Sequence, residues 1–296
     1  MTFFKYKADY VPVFLLCMIF VLDLVVFFYA EHLWQVVTWL IIGIAPKSVF
    51  CSFSHHHQHL ETFKQPILNR LIEVPYACIT GITSHLWYLH HVVGHHMNFM
   101  DQTKDESRWK RANGKQMTEF EYAFSVWITS YARAAIVGKR FPKQMKIFVT
   151  MALIQVSLLT ILFIINWQNA LFVYLLPMAI SLFLTSWLTY YHHAGLDTQD
   201  EFEASFNCTN RFYNLVTGNL GYHTAHHKRW RLHWSLLPEY HKSIQQQIPE
   251  HLIHQRFFSG RRLHQAAVKI PNKTPTLGFV VDHIKEGITK QIRPTR

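Results

Sequence analysis

The chain has 296 residues, half of them hydrophobic, a net charge of +11, and 21 histidines against 29 lysines and arginines and 18 acids. That length fits one large domain, or one domain with a tail. No nucleic-acid motif accompanies the basic charge, and the four cysteines (Cys17, Cys51, Cys78, Cys208) show no paired spacing, against a disulfide framework or a thiolate metal site.

Four apolar runs, at residues 11–30, 33–53, 147–167 and 170–191, are each about 20 residues long, enough to cross a bilayer. The first is too long and too lightly flanked for a cleaved leader, and a second follows almost at once. The predicted fold class is therefore an all-α integral membrane protein: four transmembrane helices with interfacial or re-entrant helices and a His-rich cap. The turns at Glu31-His32 and Gln168-Asn169 lack Lys and Arg, whereas the segment between spans two and three and the tail after span four hold nearly all of them. The positive-inside rule then places both termini and the cap in the cytoplasm. The expected domain organisation is a membrane domain over 1–245 and a basic tail over 246–296.

Residues 1–10 form a polar lead with Lys5 and Lys7. Asp23 lies inside span one, where an acid is expensive; the reading favoured is a partner on a neighbouring helix. Span two carries Pro46 and Lys47 and is expected to continue as a helix past the headgroups, bringing up His55-His56-His57-Gln58-His59. His55 and His59, four apart, share a face; His56 and His57 point elsewhere. Residues 72–93 are apolar but interrupted by Glu73, Pro75, Gly81 and His85. They suit a re-entrant segment, because a full crossing would put the next histidines on the wrong side of the membrane.

Those histidines are His90-His91-Val92-Val93-Gly94-His95-His96. On a helix His91 and His95 sit one turn apart on one face with His96 beside them, and His90 is an alternative ligand or a supporting donor. Residues 97–117 read as a charged cytoplasmic loop. Phe120, Phe124, Trp127, Ile128, Tyr131 and Ala135 recur at helical spacing near Arg133, Lys139 and Arg140, which predicts an amphipathic helix in the interface.

Span four contains Pro177, an expected kink, and ends in Thr189-Tyr190-Tyr191-His192-His193-Ala194-Gly195. A third cluster, His223-Thr224-Ala225-His226-His227, precedes an apparent lid with Trp230, His233-Trp234, Leu236-Leu237-Pro238 and Tyr240-His241. Asn207-Cys208-Thr209 matches a glycosylation sequon that a cytoplasmic location would leave idle. Ligand spacing selects His55, His59, His91, His95, His96, His193, His223, His226 and His227. Nine imidazoles suit two metals with four or five ligands each, and by donor chemistry those metals are iron, copper or zinc.

The boxes His-x-x-x-His, His-x-x-x-His-His and His-x-x-His-His, in that order on four spans, resemble the membrane di-iron family of fatty acid desaturases and alkane hydroxylases, over roughly residues 53–241. Gly221 to His227, followed by His233-Trp234-Ser235-Leu236-Leu237-Pro238, is similar to bacterial desaturase-like members. His193 falls where the alkane hydroxylase branch supplies its ninth imidazole. Thr189 stands where animal acyl-CoA desaturases have an Asn, so the resemblance favours the bacterial branches and an inner-membrane location. The resemblance implies two Fe ions, O2 as co-substrate, a fatty acyl substrate among membrane lipids, and an external electron donor such as a ferredoxin, rubredoxin or cytochrome docking on the basic face. The implied reaction is desaturation, with acyl or alkane hydroxylation or olefin-forming decarboxylation as the alternative. A His-rich metal transporter is the alternative of another class, but transporters place ligands near the bilayer midplane.

Overall fold

The computed structural model describes residues 3–255. Most of the expected tail, 256–296, lies outside the described residues. Among the described residues the regular elements are all helical apart from two two-residue strands. Helices α1 (Tyr10–Tyr29) and α2 (Leu33–His59) form one hairpin. α5 (Pro142–Ile165) leads through a short α6 (Trp167–Ala170) and a π-turn (Leu171–Leu175) into α7 (Leu176–His193), forming the second. These four segments are long and apolar enough to cross a membrane. Large side chains such as Phe14 and Val21 on α1, and Leu153, Val156 and Ile164 on α5, are exposed. A continuous exposed apolar surface of that kind is what lipid covers. The chain is an all-α integral membrane protein.

At 27 residues, α2 is about 40 Å long, some 10 Å more than a hydrocarbon core. Its last turns, carrying the first histidine box, therefore stand above the apolar layer. It packs along α1, α3 and α7. The acid in span one finds its partner there: Lys47 Nζ of α2 lies 2.7 Å from Asp23 Oδ1, and Trp39 Nε1 donates to the same oxygen at 2.7 Å. The ammonium also donates to the carbonyl of Val173 at 2.9 Å, inside the π-turn. This π-turn stands directly before Pro177, which lies in the first turn of α7.

Between the hairpins, α3 (Pro66–Thr80) runs through Pro75 and stops at Gly81. Gly81 has φ +72°, and a Cβ there would stand 2.9 Å from the Met178 carbonyl. Only glycine both turns left-handed and sits this close to α7. The chain reverses through residues 82–87 and enters a π-helix at Tyr88–His96, so the second box returns to the side from which α3 left. α4 (Glu119–Gly138) starts at a reciprocal cap, Thr118 Oγ1 accepting from Glu121 N at 3.3 Å and Glu121 Oε2 from Thr118 N at 2.7 Å. It packs against α7 and the π-helix. Phe120 and Ile128 are exposed, but Arg133 does not face headgroups. It is buried, and its guanidinium donates to Thr129 Oγ1, Ser125 Oγ and the Glu106 carbonyl, clamping the loop after the second box onto α4.

After α7 come β1 (Asn207–Cys208), α8 (Arg211–Thr217), α9 (His223–Lys228) and α10 (Leu237–Ile244). Ala225 of α9 packs with Phe206, Leu237, Ile244, Ile248 and Leu252, so the segment after the third box covers it from outside. Residues 246–255, at the head of the expected tail, join this cover: β2 (Ile253–His254) pairs in parallel with β1.

Candidate metal centre

All nine selected histidines are buried, and eight of them fall into two groups. His55, His59, His91, His96 and His226 present one nitrogen each within 4.8 Å of one another; His95, His193 and His227 do the same. His223 joins the second group through its Nε2, 3.0 Å from His193 Nε2. The Nε2 atoms of His55 and His91 are 2.8 Å apart, those of His59 and His55 3.0 Å, and those of His96 and His91 2.9 Å. In the second group His193 Nε2 lies 3.0 Å from His227 Nε2 and 3.3 Å from His95 Nε2.

Hydrogen bonding does not account for this convergence. A bond between two Nε2 atoms uses one proton, and His193 Nε2 meets three such neighbours with only one proton or one lone pair to offer. A shared cation does account for it. Imidazole nitrogens sit about 2.0–2.1 Å from a metal such as zinc, so two ligands at right angles lie about 3 Å apart, which is the spacing seen. The donor set, five and four neutral nitrogens, fits two first-row transition metals.

Electrostatics agrees. Burial pushes His91, His96, His223, His226 and His227 well below the usual histidine range, and neighbouring imidazoles add to the effect. These rings are neutral at pH 7, the form that binds metal.

The geometry revises one expectation. An α-helical winding would put His91 and His95 on one face. The second box instead lies on a π-helix, and this wider turn groups His91 with His96 while His95 serves the other group. One short segment thus feeds both groups. The histidines set aside lie outside the groups. His56 Nε2 donates to the Thr217 carbonyl at 3.1 Å, and His57 bridges Thr62 Oγ1 and Glu73 Oε1 at 2.9 and 3.2 Å. His192 packs against His223, tilted, with ring centres 3.9 Å apart, and His90 lies beside Trp87 at 5.4 Å.

Sequence reasoning missed the supports of the ligands. His95 Nδ1 donates to Asp105 Oδ1 at 2.8 Å, and His193 Nδ1 donates to the Ala204 carbonyl at 2.7 Å. His233 Nε2 and Trp234 Nε1 both donate to Asp9, tying the N-terminal lead to the cover over the third box. No spacing rule flags an acid ten residues past a histidine in a polar loop, or a backbone carbonyl.

A fatty acid desaturase family model matches residues 31–259, a span that holds all nine histidines and all but the first of the membrane-crossing helices. The chain belongs to the fatty acid desaturase family. No curated protein and no solved structure matches it. Membership in this family makes the protein an oxidoreductase of the desaturase and hydroxylase type, acting on fatty acyl chains in the setting of membrane lipids, with buried histidine groups able to bind metal.

Proposed function

We propose that the two histidine groups hold two irons and that the chain desaturates a fatty acyl chain with O2. The observation that carries this reading is the convergence of nine buried imidazoles into two groups at ligand spacing. His55, His59, His91, His96 and His226 would hold one iron, and His95, His193, His223 and His227 the other. The chemistry such a centre supplies when loaded is O2-dependent removal of hydrogen from an unactivated C–H bond; loss of a second hydrogen leaves a double bond.

The protein's own part is to hold, exclude and orient. Buried partners fix ring direction through Nδ1, as Asp105 and the Ala204 carbonyl do, and leave Nε2 for metal. Phe99 lies 4.3 Å from the His227 ring and closes the second group against water. One turn below His55, Cys51 joins Ile82, Leu86, Leu89, Val92, Val93 and Leu182 in an apolar wall beside the first two boxes. The side of the centre toward the spans is thus apolar, the surroundings an acyl chain requires.

Electrons come from a separate carrier with an acidic face. Arg229 and Arg231 are exposed, flank Trp230, and lie over the rings of Tyr240 and Trp230 at 4.4 and 5.3 Å. The Trp230 ring stands 6.1 Å from His59, so this basic patch offers a short route inward. By the positive-inside rule the patch and the histidines face the cytoplasm, of a bacterial inner membrane on the family branch favoured by the third box.

Lipids and volatiles from cells making this protein, compared with cells making His226→Ala, test the reaction. New unsaturated acyl chains present only with the intact protein are expected. Hydroxylated chains or a volatile alkene in their place would overturn desaturation while leaving the family chemistry intact.

A further inference from the structure

The two histidine groups are not equivalent. His95 donates its Nδ1 proton to Asp105 Oδ1 at 2.8 Å, with the two side chains 3% and 1% exposed. The same oxygen accepts the Ser107 backbone N–H at 2.7 Å, and Oδ2 meets no polar partner. A carboxylate so deeply buried is costly unless a positive charge lies near it. The basic groups near it are the His95 ring, whose far nitrogen points at His193 and the second group, and the buried Arg133 guanidinium, which holds the adjoining Glu106 carbonyl. The second group has a further support in the Ala204 carbonyl on His193. In the first group His55, His59 and His96 bury an Nδ1 with no polar partner, as His223 and His227 do in the second, so the asymmetry rests on the Asp105 carboxylate and the Ala204 carbonyl.

The backbone is shaped for this contact. Gly94, inside the π-helix, lets the loop carrying Asp105 lie against it: a Cβ there would stand 2.8 Å from Glu106 Cγ. Glu106 N–H donates back to the Gly94 carbonyl at 3.3 Å, and Arg133 holds the Glu106 carbonyl from the other side.

Resting on the two-metal reading above, we propose that Asp105 is a positioning residue that makes the two metal positions unequal. It fixes the His95 tautomer with Nε2 free, raises the basicity of that ring, and adds a negative charge on one side of the centre only. The position held by His95, His193, His223 and His227 therefore binds its metal first and more tightly. It also favours the more oxidised state of that metal, because a nearby negative charge stabilises added positive charge.

The test is a Co(II) titration of the metal-stripped, detergent-solubilised full-length protein, followed by visible absorption, which needs neither substrate nor an electron donor. Two ions should bind in two steps, the first at least about tenfold tighter than the second. Second-sphere carboxylates typically contribute roughly 10–100-fold to metal affinity, so D105A should weaken the first step by that factor and leave the second in place. D105N, close in shape and still able to accept from His95 and Ser107, guards against loss of folding; it should weaken the first step less, having lost the charge alone. His193→Ala should abolish the tight step and His55→Ala should spare it. Two equal steps, a tight step that survives D105A unchanged, or one lost with His55→Ala would overturn the proposal. Binding of fewer than two ions by the unaltered protein would overturn the two-metal reading itself, and this proposal with it.

Discussion

At the scale of single residues, the centre is a set of neutral imidazoles held in a dry environment. The pH behaviour of the metal-free protein follows from that. Burial pushes His91, His96, His223, His226 and His227 well below their ordinary value, and His85 and His241 to about 4. As pH falls through about 6.5, the unfolded chain takes up protons on these rings while the folded chain does not. The stability they contribute is complete above that pH and is lost below it. The thermal midpoint of metal-free protein should be flat from pH 7 to 8 and drop steeply between pH 6.5 and 5, as read by intrinsic fluorescence. A midpoint rising on acidification would mean that the rings are charged in the fold. Most candidate ligands were legible as residues, because spacing and clustering separate them from scattered histidines. What each ring leans on was not. Asp105 and the Ala204 carbonyl come from loops that spacing does not place, and His56 and His57 differ from His55 only in the direction they face.

At the scale of elements, the apolar runs at residues 11–30 and 33–53 correspond to α1 and the body of α2, since a membrane imposes a length and a composition that are readable directly. Local winding is another matter. The second box winds as a π-helix packed against Glu106 and α4, so His91 falls with His96, not with His95 on one α-helical face. Arg133 was misplaced for a similar reason, since a helical wheel shows its face but not the loop folded over it. Asp23 shows what the sequence does allow: an acid inside a span needs a partner, and α2 supplies Lys47. Both are almost wholly buried, so removing one leaves a bare charge, a loss of about 3–5 kcal/mol in buried pairs. Lys47→Met should therefore sharply lower the melting point in detergent, and Asp23→Leu combined with Lys47→Met should recover most of it. Equal losses in the single and double variants would mean that side-chain packing, not charge pairing, holds α1 to α2.

At the scale of the whole molecule, three distant segments meet because α3 enters the bundle and turns back. Gly81 makes that reversal, and the interrupted apolar run with Glu73 and Pro75 announces it. Had residues 66–93 crossed instead, the first and second boxes would lie on opposite faces, and no shared group would form. The hairpins bring the ends of α2 and α7 to one level, the π-helix lies between them, and α9 closes the set from outside. On the proposed reading, this assembly holds two irons on nine histidines. Metal analysis of the protein purified from iron-replete cells, with Mössbauer spectra of the 57Fe-enriched form, tests it most directly. Two irons per chain are expected, falling to one or fewer in His226→Ala and in His193→Ala, with the polypeptide still in the membrane fraction. Freely exchanging zinc in place of iron, or two irons retained when both histidines are replaced, would show that these groups are not a di-iron centre.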